Sequence, residues 1–108
     1  MFVKLLIDLV NRNFLLHKAV KAENENLYKY FLQFEVDVNQ IDRDESSPLF
    51  YAVSRRDKKA ILYLTKKGGN VICPTDELFE MMGEALEKDD WKFFELLYHI
   101  EFKETLPH

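Results

Sequence analysis

Glycine and proline are scarce, with three of each in 108 residues. So little turn-forming material disfavours a barrel or sandwich of many short strands and favours helices joined by brief loops. The one cysteine, Cys73, cannot form an internal disulfide, which points to a reducing compartment. No apolar run reaches the length that spans a bilayer. The stretch from Met1 to Val10 is largely apolar, but Lys4 and Asp8 interrupt it and no small-residue cleavage site comes after it, so it does not read as a secretion signal. The expectation is a cytoplasmic chain without a membrane segment. Nor does the sequence hold a glycine-rich phosphate loop or a nucleophile elbow, which argues against an enzyme.

The chain does have an ordinary globular balance, 47% apolar and 31% charged, and is long enough for one domain with its own core. The net charge of −4 is unevenly spread. Residues 1–46 carry −2, residues 47–72 carry +5 and residues 73–108 carry −7. A basic middle thus lies between acidic flanks, which shapes the field a partner meets more than it shapes the fold.

The strongest signal is a repeat. Leu16-His17-Lys18-Ala19-Val20, Leu49-Phe50-Tyr51-Ala52-Val53 and Met82-Gly83-Glu84-Ala85-Leu86 superimpose, with the alanines 33 residues apart. The residues beyond each alanine match as well. A polar break comes first (Glu23-Asn24, Arg56-Asp57, Asp89-Asp90). Then come apolar pairs at Leu27-Tyr28, Ala60-Ile61 and Phe93-Phe94, and a further apolar residue at Phe31, Leu64 and Leu97. Each copy reads as a short helix, a turn and a second helix. In the middle copy Ser47-Pro48 predicts a hydroxyl N-cap and then proline at the first helical position, with a helix from Pro48 to Arg55. Its second helix, Lys58 to Lys67, is expected to stop at Gly68-Gly69. Residues 1–10 fit an added helix with Phe2, Leu5, Leu6 and Leu9 on the face laid over the first repeat, or else a fragment of a further repeat. Most of the phenylalanines and Trp91 fall at core periods.

A 33-residue period of turn and paired helices resembles the ankyrin-repeat family. The segment Val38 to Ala52 is similar to that family's junction between repeats. It keeps Val38, Asn39, Asp42, Pro48, Leu49 and Ala52, with Ser47 for threonine, while Glu45 stands in place of glycine and Phe50 in place of histidine. The first copy keeps Leu16, His17 and Ala19 but has Phe14-Leu15 for the Thr-Pro pair, and the third keeps the alanine and the apolar spacing. The fold this implies is an all-α solenoid of about three helix-turn-helix repeats plus an N-terminal helix. Its expected divisions are an N-terminal cap at 1–12, repeats at 13–45 and 46–78, and a capping repeat at 79–108, together forming one domain.

Three clusters are candidates for chemistry. Asp76, Glu77, Glu80, Glu84 and Glu87 keep helical spacing and read as a solvated acidic face at a helix start rather than a cation site. His17, His99 and His108 are scattered and none pairs with Cys73 at ligand spacing, so no metal or other cofactor is expected. The resemblance makes His17 structural, its ring hydrogen-bonded to backbone near a repeat junction. Arg55, Arg56, Lys58, Lys59, Lys66 and Lys67 could meet phosphates, but an isoelectric point near 5.4 argues against a nucleic-acid partner and for an acidic protein surface.

The resemblance implies a protein-binding module that offers the concave face formed by turns and first helices. The residues it places there are Lys18, Lys21, Tyr51, Ser54, Arg55, Glu84 and Glu87. Gln40, Arg43, Asp44 and Glu45 form the projecting turn, and Tyr51 is the expected anchor. Small proteins of this kind include immunity proteins that neutralise a toxin, so an inhibitor of a basic enzyme is the alternative. The expected state is a monomer with at most weak self-association.

Overall fold

The interhelical turns are built to one pattern, and the pattern explains the period. Glu23, Arg56 and Asp89, spaced by 33, take positive φ angles of 54°, 54° and 56°. That left-handed residue lets the next N–H turn back to the preceding helix. The amides of Asn24, Asp57 and Asp90 donate to the carbonyls of Ala19, Ala52 and Ala85 at 3.0, 2.9 and 2.7 Å. The same residues then cap the second helix, their side chains accepting from Leu27, Ala60 and Phe93 N–H.

The structure, a computed structural model, describes residues 2–104, the side chain of Phe2 excepted. Seven helices and no strand are present among the described residues. They are α1 (Phe2–Arg12), α2 (Leu15–Lys21), α3 (Glu25–Leu32), α4 (Pro48–Ser54), α5 (Lys58–Lys66), α6 (Glu77–Glu87) and α7 (Trp91–Phe102). The pairs α2/α3, α4/α5 and α6/α7 are hairpins. The helix α2 packs on α4 and α3 on α5, so in the first two hairpins the first helices form one layer and the second helices another. The body is elongated, 48 × 26 × 22 Å with a radius of gyration of 14.4 Å. A compact domain of this length has a radius of gyration of about 13 Å.

The core runs along the stack. Ala19, Ala52 and Ala85 are buried, as are Tyr28 and Ile61 from the first apolar series and Phe31, Leu64 and Leu97 from the second. Gly68, at φ 83°, ends α5, and the N–H of Gly69 donates to Leu64 carbonyl at 2.8 Å. A Cβ at Gly69 would lie 2.8 Å from that oxygen, so this position requires glycine.

Several expectations are corrected. The buried face of α1 is Leu6, Ile7 and Val10, the last 1% exposed, whereas Leu5 and Leu9 are 64% and 52% exposed. Two apolar stripes at helical spacing overlap on this helix, and the two-residue link Asn13-Phe14 decides which one meets α2. The side chain of Phe2, the fourth member of the expected face, lies outside what is described. Ser47 precedes α4 with Pro48 at its start, but its hydroxyl does not cap the helix. It donates to Asn70 carbonyl at 2.6 Å and accepts from Ile72 N–H at 3.0 Å, tying α4 to the next loop. Trp91, Phe79 and Phe102 are about half exposed rather than core. They lie on the last hairpin, beyond which the described residues place no further repeat.

Two substitutions test this framework. Ala52→Leu overpacks a fully buried site and is expected to cost about 1–3 kcal/mol, against almost nothing for Lys66→Ala on the surface. Glu23→Gly removes a side chain from a left-handed residue and is expected to stabilise by about 1 kcal/mol. Urea denaturation midpoints check both.

Candidate protein-binding surface

The loop between α3 and α4 is short of regular structure yet firmly pinned. Asp42 organises it. One carboxylate oxygen accepts the amides of Asp44 and Ser46 at 3.0 and 3.1 Å, and the other accepts the Tyr51 hydroxyl at 2.6 Å. The backbone closes the same turn through Asp42 N–H to Ser46 carbonyl and Glu45 N–H to Asp42 carbonyl, both 3.0 Å. Glu45, where the resemblance would place glycine, takes φ 59°. Burial works against charge on Asp42, but the Tyr51 hydroxyl and the two amides outweigh it and hold the carboxyl below its ordinary range. Burial, and after it the bond to Asp42, pushes the Tyr51 hydroxyl up to about 12.

His17, buried on α2, fastens this loop from beneath. Its Nε2 lies 2.8 Å from Gln40 carbonyl and 3.2 Å from Ser46 carbonyl, and because carbonyls only accept, the proton sits on Nε2. This is the structural role the resemblance implied. Nδ1 is therefore an acceptor, buried with no partner among the described residues. Phe14 packs edge-on to the imidazole at 5.7 Å and brings no polar group. Burial holds the His17 pKa below its ordinary 6.5.

Between α2 and this turn lies a cleft of about 340 Å³, lined among others by Arg12, Lys18, Lys21, Arg43 and Asp44. Lys21 also lies 4.5 Å over the Tyr51 ring. Of the residues singled out from sequence, Lys18, Lys21, Arg43 and Asp44 thus converge on one cleft, and Tyr51 forms its support rather than a free anchor. Gln40 is used internally, its carbonyl on His17 and its amide donating to Asn11 carbonyl at 2.5 Å. The Ser54 hydroxyl donates to Tyr51 carbonyl at 3.0 Å. Arg55 lies in a different, open recess at the interhelical turns, with Glu23 and Lys59. Glu84 and Glu87 are exposed on α6, outside the cleft. Glu45 is exposed at the tip of the turn.

Sequence reasoning missed Arg12 as a wall of the cleft and Asp42 as its organiser. The only signal for Asp42 was its place in the junction pattern. Among the described residues, no group of three or more His, Cys, Asp or Glu could hold a metal ion, and no helix is long and apolar enough to cross a membrane.

The pKa shifts fix the direction of a pH dependence. The unfolded imidazole protonates more readily than the folded one. The stability His17 contributes is therefore complete above pH 6.5 and is lost as pH falls from there through its lowered folded value. Asp42 acts likewise, its contribution present above pH 3.8 and lost as pH falls through its lowered value. Tyr51→Phe is expected to cost about 2 kcal/mol at neutral pH, the value of a hydrogen bond to a charged group. That cost should shrink as Asp42 protonates. Urea unfolding of both proteins across the acid range measures it.

The family model described as ankyrin repeats (3 copies) matches residues 2–75, which includes α1 and both well-formed hairpins. No curated protein and no solved structure matches the chain. With a 33-residue repeat, paired helices in two layers and a family match over more than half its length, the chain belongs to the ankyrin-repeat family.

Proposed function

We propose that this chain is a protein-binding module whose contact surface is the cleft between α2 and the turn at residues 42–46. The observation that carries the reading is preorganisation. Asp42 fixes the turn from within, His17 fastens the loop to α2, and Lys18 and Arg43 are left exposed on the rim. A surface already in its bound shape loses little conformational entropy on association. The rim is mostly cationic, which favours an acidic patch on the partner. The fold family supports binding of another protein, and no catalytic constellation is needed for it.

Inhibition is a special case of this reading, favoured by the exposed carboxylates Glu80, Glu84 and Glu87 on α6. They would extend contact onto a basic enzyme and occlude it. In that case the captured partner is an enzyme, and its activity falls in proportion to the bound fraction.

A photo-crosslinking amino acid placed at Lys18 or Arg43 is expected to capture a partner in the source cell, whereas the same probe at Lys66 on α5 is not. Reversing charge with Lys18→Glu and Arg43→Glu together should slow association by about tenfold at low salt while leaving the thermal midpoint in place. Capture from Lys66 alone, or an unchanged association rate, would exclude this cleft.

A further inference from the structure

The two junctions between second helices are not alike. At the first, α3 packs directly on α5. The rings of Tyr28 and Tyr63 meet at 6.1 Å, Lys29 lies 5.1 Å over Tyr63, and Lys59 pairs with Glu25 at 3.4 Å. Advancing each residue by the 33-residue period gives the second junction, between α5 and α7. Tyr28 becomes Ile61, Tyr63 becomes Leu96 and Lys29 becomes Leu62. Two rings are lost and a charged cover is replaced by an apolar side chain.

The space left is a groove of about 660 Å³ floored by Ile61, Leu62, Thr65, Leu96 and Ile100. Leu62 is 50% exposed along it. Past Lys58 and Leu96 it continues into a recess of about 280 Å³ that includes Lys92 and Phe93.

The charges change in the same register. Glu25 and Lys59, the ion pair of the first junction, become Lys58 and Lys92 at the second. Where opposite charges closed one interface, two cations line the other; Lys58 is close enough to Asp90 to lower its pKa, and Lys92 lies 5.7 Å over the Trp91 ring. Lys103 lines the groove beyond the end of α7. The single carboxylate lining either recess, Asp90, is held by Arg56. Lys92 and Lys103 thus bring positive charge to this edge from the part of the chain that is otherwise most acidic.

We infer that the groove between α5 and α7 is a second docking site, and that its occupant is an acidic amphipathic helix of a partner protein. The apolar stripe of such a helix lies on Ile61, Leu62 and Leu96, and its flanking carboxylates face Lys58, Lys92 and Lys103 along the rim. The site is on the second-helix layer, so it is separate from the cleft at α2, and both can be filled at once.

The probe is a stapled peptide of about four helical turns, with leucine at the i, i+3, i+4 and i+7 positions and glutamate elsewhere. A matched peptide carries lysine for glutamate. Fluorescence anisotropy is expected to show the glutamate peptide binding at least about tenfold more tightly, with its amide shift changes centred on Leu62, Thr65, Leu96 and Ile100. Leu96→Tyr restores the ring that fills the first junction and should abolish binding. Leu62→Lys restores the first junction's Lys29 at an exposed position, so it reports on the groove even if Leu96→Tyr misfolds. Lys58→Glu with Lys92→Glu should invert the preference between the peptides. Equal affinity of the two peptides, shift changes centred on the α2 cleft, or binding that survives Leu62→Lys would overturn the proposal. Sedimentation of the protein alone decides against a second copy as occupant. Self-association abolished by Leu62→Lys would assign the groove to another copy of this chain and overturn the assignment to a partner helix.

Discussion

One backbone hydrogen bond, made three times, carries the architecture. The carbonyl of Ala19, Ala52 or Ala85 accepts the N–H five residues on, across a residue held at positive φ. Reversing the chain this tightly brings two helices into close contact, and alanine is the side chain small enough to sit there fully buried. The turn residues Glu23, Arg56 and Asp89 are not glycines, so each accepts a conformational cost of about 1–2 kcal/mol. That cost is tolerated because the amide it redirects both closes one helix and belongs to the residue that caps the next. The layers, the core and both recesses result from where these hairpins place their outer faces.

Neighbouring hairpins are joined by polar contacts as well as by apolar packing. Asn39 accepts from Asn70 N–H at 2.7 Å and donates to Gly68 carbonyl at 3.0 Å, so one side chain ties two successive loops together. Ser47 does the same from the start of α4, and His17 from within α2. Where such a backbone group is buried, as at Ser46, leaving it unpaired would cost about 1–3 kcal/mol. Satisfying such groups makes the loops rigid, and rigidity is what a contact surface needs. The stack and the proposed contact surface therefore rest on the same small set of polar side chains.

The departures from the repeat set the surface of the molecule. Where the 33-residue pattern is kept, side chains build the stack: the alanines, the helix caps and the leucines. Where it is broken, surface chemistry changes. Phe14, where the middle repeat has Ser47, packs edge-on to His17, and Leu96, where it has Tyr63, lines the groove beside α5. The acidic, aromatic-rich third hairpin is the most altered copy, and it carries the half-exposed Phe79, Trp91 and Phe102.

The period, the helix pairs and the position of each turn were legible from residue spacing, because they arise from contacts within a few residues of one another. Asn24, Asp57 and Asp90, by contrast, read as polar breaks in the sequence and not as the caps they are. The structural role of His17 was legible through the family pattern. Three other things were not. The buried face of α1 depended on how a two-residue link aims the helix, and its apolar stripes were equivalent by spacing. The hydroxyl of Ser47 had two possible uses, and a loop more than twenty residues away claimed it. Tyr51 had the spacing of an exposed groove residue, but Asp42, nine residues earlier, turns its hydroxyl inward. Sequence by itself determined the repeating unit, because a helix and its turn are local. Tertiary structure alone decided which polar groups remain free for a partner, because a hydrogen bond between distant elements exists only once the loops have brought them together.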